Sequence, residues 1–352
     1  MPVPELLRRL LTAPGPSGYE AAAAAVWREA ASAFAEVTTD ALGSSVARVR
    51  GTRGGPLLAV IGHIDEIGLI VTHVDEDGFL FFRTVGGQRA EVLLAQRVEL
   101  LTRDGTVPGV VGRKSRKPPK RDEKVEPVSL DDLHLDIGAR DRDDALQRVR
   151  LGDVAVSAGA PLELSNGRLV SRALDNRLGA YVALEAARLV AEAGGAPGDV
   201  AAAAAVQEEV GDFGGARTTL FALEPQVALA VDVTDATDVP DGDPKAWGEA
   251  KLGGGPTINR GSTINPKVFD LLVETAEAEG IPYAVNVSPG ETYTDMDAAY
   301  ASRAGIATGL ISLATRYIHT PTEMVSPDDV DAAARLVAAF AQRLEPGLDF
   351  AR

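Results

Sequence analysis

Six residues of this chain combine a metal-binding or proton-moving side chain with a place at the end of an apolar run. Glu208 and Glu209 stand side by side after the strand-like run Val200–Val206. Successive side chains on a strand point to opposite faces, so two neighbouring acids can serve two sides of one site, one ligating a metal while the other handles a proton. Ile61 leads to His63, Val231 to Asp232 and Leu313 to His319. Asp175 joins them from a predicted helix start, in Arg172-Ala-Leu-Asp175. In an open α/β sheet, ligands gather beyond the carboxyl ends of the strands. Histidine and carboxylate donors without cysteine suit Zn²⁺, Co²⁺ or Mn²⁺. Five ligand candidates exceed the three protein donors that one catalytic zinc takes. They suit two ions sharing one bridging carboxylate, with a water between them whose pKa falls toward ~7. A free carboxylate beside that water takes its proton and passes it to the leaving group. Either Glu208 or Glu209 could fill that role while the other ligates.

The rest of the composition narrows the class. The chain has 352 residues, no cysteine and a net charge of −16. That length predicts about two domains. The acidic balance argues against nucleic acid or an anionic membrane as partner. Without cysteine there are no disulfides and no thiolate ligands. The N-terminus lacks the apolar stretch of a signal peptide. No apolar run approaches the ~20 residues that span a bilayer. The expected compartment is the cytoplasm. Of four histidines, His73 and His134 read as surface or packing residues.

The elements that must position these residues fall into two textures. Residues 4–12 read as a short helix, Ser17 to Glu20 as a capping box, and an Ala-rich helix follows to about Phe34. Strands are predicted over 45–50 and 57–61. From about 71 to 164, short alternating runs punctuated by Gly, Asp and Pro predict a β-rich domain inserted into a larger one. It contains the basic run Arg113–Arg121, read as a solvated loop. Residues 1–70 and 165–352 then form an α/β domain. Its predicted helices cover 175–192, 216–223, 266–280, 295–304 and 326–344, the third capped by Asn265-Pro266 and Gly280. Its predicted strands cover 200–206, 227–231, 283–287 and 306–313. Lys251–Pro256 is Gly-rich without a phosphate-loop ending and reads as backbone close to a substrate.

Several of these stretches, in this order, carry a resemblance: Gly62-His-Ile-Asp-Glu-Ile-Gly68, Ala173-Leu-Asp-Asn-Arg177, Val206-Gln-Glu-Glu-Val-Gly211, Val231-Asp-Val-Thr234, Thr294-Asp295 and Arg316-Tyr-Ile-His-Thr-Pro321. Over almost its whole length the chain resembles the cytosolic di-metal aminopeptidases, also called glutamyl aminopeptidase or cellulase M-like proteins and tetrahedral aminopeptidases. The resemblance implies a metallopeptidase-type mixed sheet flanked by helices, interrupted by a small β-rich dimerisation domain. It implies short peptide substrates, two divalent ions per subunit (Zn²⁺ or Co²⁺, then Mn²⁺), and dimers assembling into a dodecamer. By resemblance His63 and Asp232 bind one ion, Glu209 and His319 the other, and Asp175 bridges. Glu208 matches the general base, and Asp65 matches an acid that orients His63. Two departures stand out. The segment after Glu209 is one residue longer than the family pattern. Thr292 and Tyr293 stand where the family often has small glycines, which narrows or reshapes the side-chain pocket unless Tyr293 packs in the core. Weighed against an aminopeptidase are a deacylase or carboxypeptidase on the same site, and an inactive metal-stabilised assembly protein. A glucanase is disfavoured because glycosidases use two carboxylates without metals.

Overall fold

Four parallel strands form the middle of an eight-stranded mixed sheet. Across the sheet the order is Glu36–Thr39, Ser45–Val49, Gly198–Ala205, Gly55–His63, Val227–Asp235, Ala307–Thr315, Thr257–Gly261 and Ala284–Ser288. The third to the sixth of these run parallel to one another. The computed structural model describes residues 3–114 and 127–352. Most of the basic run at 113–121 therefore lies outside the described residues.

The chain divides into two compact units. One comprises Met1–Glu66, Pro161–Ile318 and Thr322–Arg352, and holds the large sheet, its helices and one continuous apolar core. The other comprises Ile67–Ala160 with His319–Pro321. Its strands close into a barrel in the order Gly68–Val74, Leu80–Val85, Leu133–Asp136, Gly105–Arg113, Arg97–Thr102 and Val154–Ser157. Leu69, Val71, Leu80, Leu100, Leu135 and Ala155 fill it, a core separate from that of the sheet. His73 and His134 lie on barrel strands against Phe81 and Phe79, in keeping with packing roles.

Close backbone approach explains why the sheet can carry a site. Alanine favours helices, yet Ala201–Ala205 is a fully buried central strand. Buried parallel strands need apolar side chains on both faces, and alanine leaves room for layers to come close. The helix Leu174–Glu192 uses that room. A Cβ on Gly62 would stand 2.1 Å from the carbonyl carbon of Gly179, and a Cβ on Gly179 would stand 2.1 Å from the Val231 carbonyl oxygen. Asn176 locks the same corner, with Nδ2 donating to the Val231 carbonyl (2.8 Å) and Oδ1 accepting from the Gly179 amide (2.8 Å). The start of this helix is thereby pressed against the ends of two central strands.

Several expected elements differ. Ser17 to Glu20 is not a capping box. The helix spans Ala21–Ala31, Ser17 Oγ donates to Asp65, and Glu20 accepts from the Gly18 and Gln207 amides. The helix expected over 295–304 is only Met296–Ala299, followed by turns. Ser326 does precede the last helix, Pro327–Gln342, but its side chain makes no cap. The amides of Gly253 and Gly255 donate to Asp329 (2.7 and 2.9 Å), so these two groups tie the Gly-rich loop to the last helix instead of facing a substrate.

Because a Cβ on Gly179 would run into the Val231 carbonyl oxygen and the Asn176 side chain, Gly179→Ala should destabilise the protein by ~1–3 kcal/mol through overpacking. Urea unfolding measures this. An unchanged midpoint would show that the helix start can move away from the strands.

Candidate metal centre

The ends of the central strands place five of the predicted residues together in the sheet unit. His63 ends its strand, Asp232 lies near the end of the neighbouring one, and Glu208 and Glu209 follow Ala205 by a short turn. Asp175 enters from the helix start, where it and Asn176 leave helical geometry. His63 Nε2 lies 3.2 Å from Asp175 Oδ1, 3.7 Å from Glu208 Oε2 and 3.9 Å from Asp232 Oδ1. Two groups of donors lie close enough to hold an ion: His63 with Asp175 and Glu209, and His63 with Glu208 and Asp232. By distance alone, Glu208 is thus as well placed to ligate as Glu209. His319 is in neither group. It belongs to the barrel unit, where a Cβ on Gly87 would stand 3.1 Å from its Nδ1.

Local backbone conformation sets these positions at a cost. Ala173 (φ 58°) and Gln207 (φ 60°) are left-handed just before the segments that carry Asp175 and Glu208, and His319 is left-handed itself (φ 60°). Such conformations in residues other than glycine cost on the order of 1–3 kcal/mol each and persist only where the surroundings enforce them.

Asp65 and Glu66 hold the segments next to Gln207 and Ala173. Asp65 is fully buried. Its Oδ2 accepts from Ser17 Oγ (2.6 Å) and the Glu209 amide (3.1 Å). Its Oδ1 accepts from the Glu208 amide (3.2 Å) and lies 3.4 Å from His63 Nδ1. Asp65 thus lies beside His63 Nδ1, which makes no hydrogen bond among the described residues, and Nε2 faces the centre. Glu66 points into a second buried cluster. It accepts from Arg172 Nη1, from Arg177 Nη2 (3.1 Å) and from the Gly15 amide (3.0 Å). Arg177 also donates to the Leu10 and Ala13 carbonyls. The two arginines flank Asp175 in sequence, so their grip on Glu66 holds the Asp175 segment against the His63 segment.

The electrostatics are those of a centre with surplus negative charge. Burial, with Asp232, Asp295 and Glu209 nearby, pushes the Glu208 carboxyl up to about 10 against the opposing pull of His63. Burial and the neighbouring Asp175 and Asp295 raise Asp232 as well. Burial disfavours the His63 imidazolium, but Glu208, Asp175 and Asp65 outweigh it and raise the His63 pKa. Asp65 moves the other way: burial alone would raise it, but the contacts from His63, Ser17 and the Glu209 amide hold it below the ordinary range.

Sequence reasoning assigned no site role to Asp295, which it read as the start of a helix. It is 2% exposed, and neither carboxylate oxygen has a hydrogen-bond partner among the described residues. Burial and the neighbouring Asp65 push it up to about 7, His63 opposing. A buried carboxylate without a donor is costly. Here it sits among carboxylates, so the missing counter-charge must be cationic. This observation, with the donor set of imidazole and carboxylates, fits divalent ions and no anionic ligand.

Comparisons with known proteins point to one family. The model of the M42 glutamyl aminopeptidase family matches residues 43–336. A lysyl aminopeptidase of Pyrococcus furiosus is 35% identical, over 98% of both chains. The structure of a TET aminopeptidase from a marine sediment Thaumarchaeota archaeon superposes with a TM-score of 0.91 at 34% identity, over 97% of this chain and 96% of that one. The Pyrococcus horikoshii TET1 peptidase, which can assemble into a tetrahedron or a large octahedral shell, superposes at 0.84 with 29% identity, over 97% and 99%.

Since the folded Asp295 carboxyl is raised, its charge costs stability. The cost sets in as pH rises above the ordinary carboxylate range and is complete above about 7. In alkaline buffer with chelator, Asp295→Asn should therefore raise metal-free stability by about 1 kcal/mol. Thermal melts of chelated wild type and variant test this, and a less stable variant would contradict it. The buried carboxylates and the matched chains lead to one assignment: this protein belongs to the M42 glutamyl aminopeptidase family of metallo-aminopeptidases.

Proposed function

We propose that this chain removes N-terminal residues from short peptides at a two-metal centre, with Glu208 as general base. The observation that carries the reading is the convergence of His63, Asp175, Glu208, Glu209 and Asp232 within ligating reach at the ends of neighbouring strands. His63 and Asp232 would hold one ion, Glu209 the other, and Asp175 both. His319 is proposed as the remaining ligand from the family motif Arg316–Pro321. Zn²⁺ and Co²⁺ suit this donor set best, with Mn²⁺ also compatible. When bound, such ions polarise the scissile carbonyl and acidify water.

The chain's own residues divide the remaining work. Asp65 keeps His63 Nε2 aimed inward. Glu208 and Glu209 receive separate tasks because they are adjacent at a turn whose two amides Asp65 fixes. A buried Glu208 that holds a proton tightly in the absence of cations is suited to accept one from water and deliver it to the departing amine. Positive charge at the centre would bring its pKa down toward the working range.

We further propose 71–164 as a dimerisation domain inserted into the catalytic domain, and a closed homo-oligomer built from dimers. The assembly of the Pyrococcus horikoshii TET1 peptidase supports this reading. The cytoplasm is the proposed compartment. Among the described residues no helix is long and apolar enough to cross a membrane.

Glu208→Gln should retain its metal, measured by elemental analysis, while kcat on aminoacyl anilides falls by ~10²–10⁴. Full activity in that variant would remove Glu208 from the chemistry. Equal turnover of N-blocked and free-amine peptides would point to a deacylase or carboxypeptidase.

A further inference from the structure

A cavity of about 540 Å³ opens beside the centre, and its charge is one-sided. Val233 and Thr234, the residues after Asp232, form one wall, and Thr294, the residue before Asp295, closes another. A peptide whose first carbonyl lies at the centre would therefore direct its N-terminal side chain here. Val233, Val287, Leu310 and Tyr293 give the cavity apolar surface, while Asn259 and Ser312, hydrogen-bonded to each other (3.1 Å), give it neutral polar surface. Glu291 is the one charged residue among those described as lining it. Among the described residues no lysine, arginine or histidine pairs with Glu291. Tyr293, which the sequence left open as either pocket or core, is 79% exposed on this wall.

We infer that Glu291 makes this cavity select peptides with a cationic N-terminal side chain, lysine or arginine. The inference rests on the aminopeptidase reading above. The aliphatic stem of such a side chain covers the valines and Leu310, while its charged head stays at the wetter rim. The ammonium of lysine offers three donors and no acceptor, matching a rim whose charge, among the described residues, is a carboxylate. An apolar side chain filling the cavity would strip water from its amide and hydroxyl groups without replacing their hydrogen bonds. An acidic one would meet a like charge. The names borne by the family and by relatives cover both lysyl and glutamyl substrates. Membership therefore does not decide the preference, and the side chain at this position can.

The test is a panel of Lys-, Arg-, Leu-, Phe- and Glu-4-nitroanilides with metal-loaded wild type, Glu291→Gln and Glu291→Lys. Wild type should favour Lys and Arg in kcat/KM. Loss of one charge contact should lower the Lys-to-Leu ratio by about tenfold in Glu291→Gln. Glu291→Lys should shift preference toward Glu. Competitive inhibition by lysinamide against leucinamide should follow the same order, as a readout independent of turnover. Because Glu291 is exposed, both variants should fold, and their melting curves check this. Wild-type turnover of Leu or Glu at least as efficient as Lys, or an unchanged Lys-to-Leu ratio in Glu291→Gln, would overturn the pocket assignment alone. No turnover of any member of the panel would overturn the aminopeptidase reading with it.

Discussion

One short stretch, His63 to Glu66, ties the centre to everything around it. His63 reaches the centre from the end of a central strand. Asp65, two residues on, accepts from the amides of Glu208 and Glu209 and from Ser17. Glu66 grips Arg172 and Arg177 on either side of Asp175. Three segments distant in sequence are thus referenced to four consecutive residues. Removing one partner of a buried charge network typically costs several kcal/mol, because the other is left without compensation. The arrangement therefore sets ligand positions more firmly than any pairwise contact in the centre itself. Those central contacts bring several carboxylates together, and His63 opposes their repulsion.

The repulsion is what the fold must contain. Close packing of helix 174–192 on the sheet, through Gly62, Gly179 and Asn176, drives Asp175 toward His63 and Asp232. Burial then raises the pKa of Glu208, Asp232 and Asp295. A site of this kind stores unfavourable electrostatics that a divalent ion converts into affinity. Asp65, by contrast, is satisfied by donors.

Much of the fold was legible where the signals are local. Asn265 Oδ1 does accept from the amides of Lys267 and Val268, and Gly280 is left-handed after the helix, as their types predict. Ser17 and Glu20 carried an equally good local signal that tertiary contacts overrode, since both side chains were recruited to the loops around the site. Short, polar strands such as Glu36–Thr39 and Thr257–Gly261 offered no alternation to detect. The ligand candidates were legible because histidine is scarce in this chain and the acids end apolar runs. Glu66, Arg172 and Arg177 were not, because charged residues are ordinarily exposed. Asp295 was hidden by its likeness to a helix-start acid, and the left-handed Ala173 and Gln207 by the absence of glycine.

On the proposed function, this buried carboxylate cluster would hold two ions and leave Glu208 free to move a proton. Anomalous diffraction from crystals of the Co²⁺-loaded protein tests it most directly. Two peaks are expected, with Asp175 ligating both ions, His63 and Asp232 on one, Glu209 on the other, and no Glu208 oxygen in either coordination sphere. A single peak, or Glu208 coordinated where Glu209 should be, would contradict it.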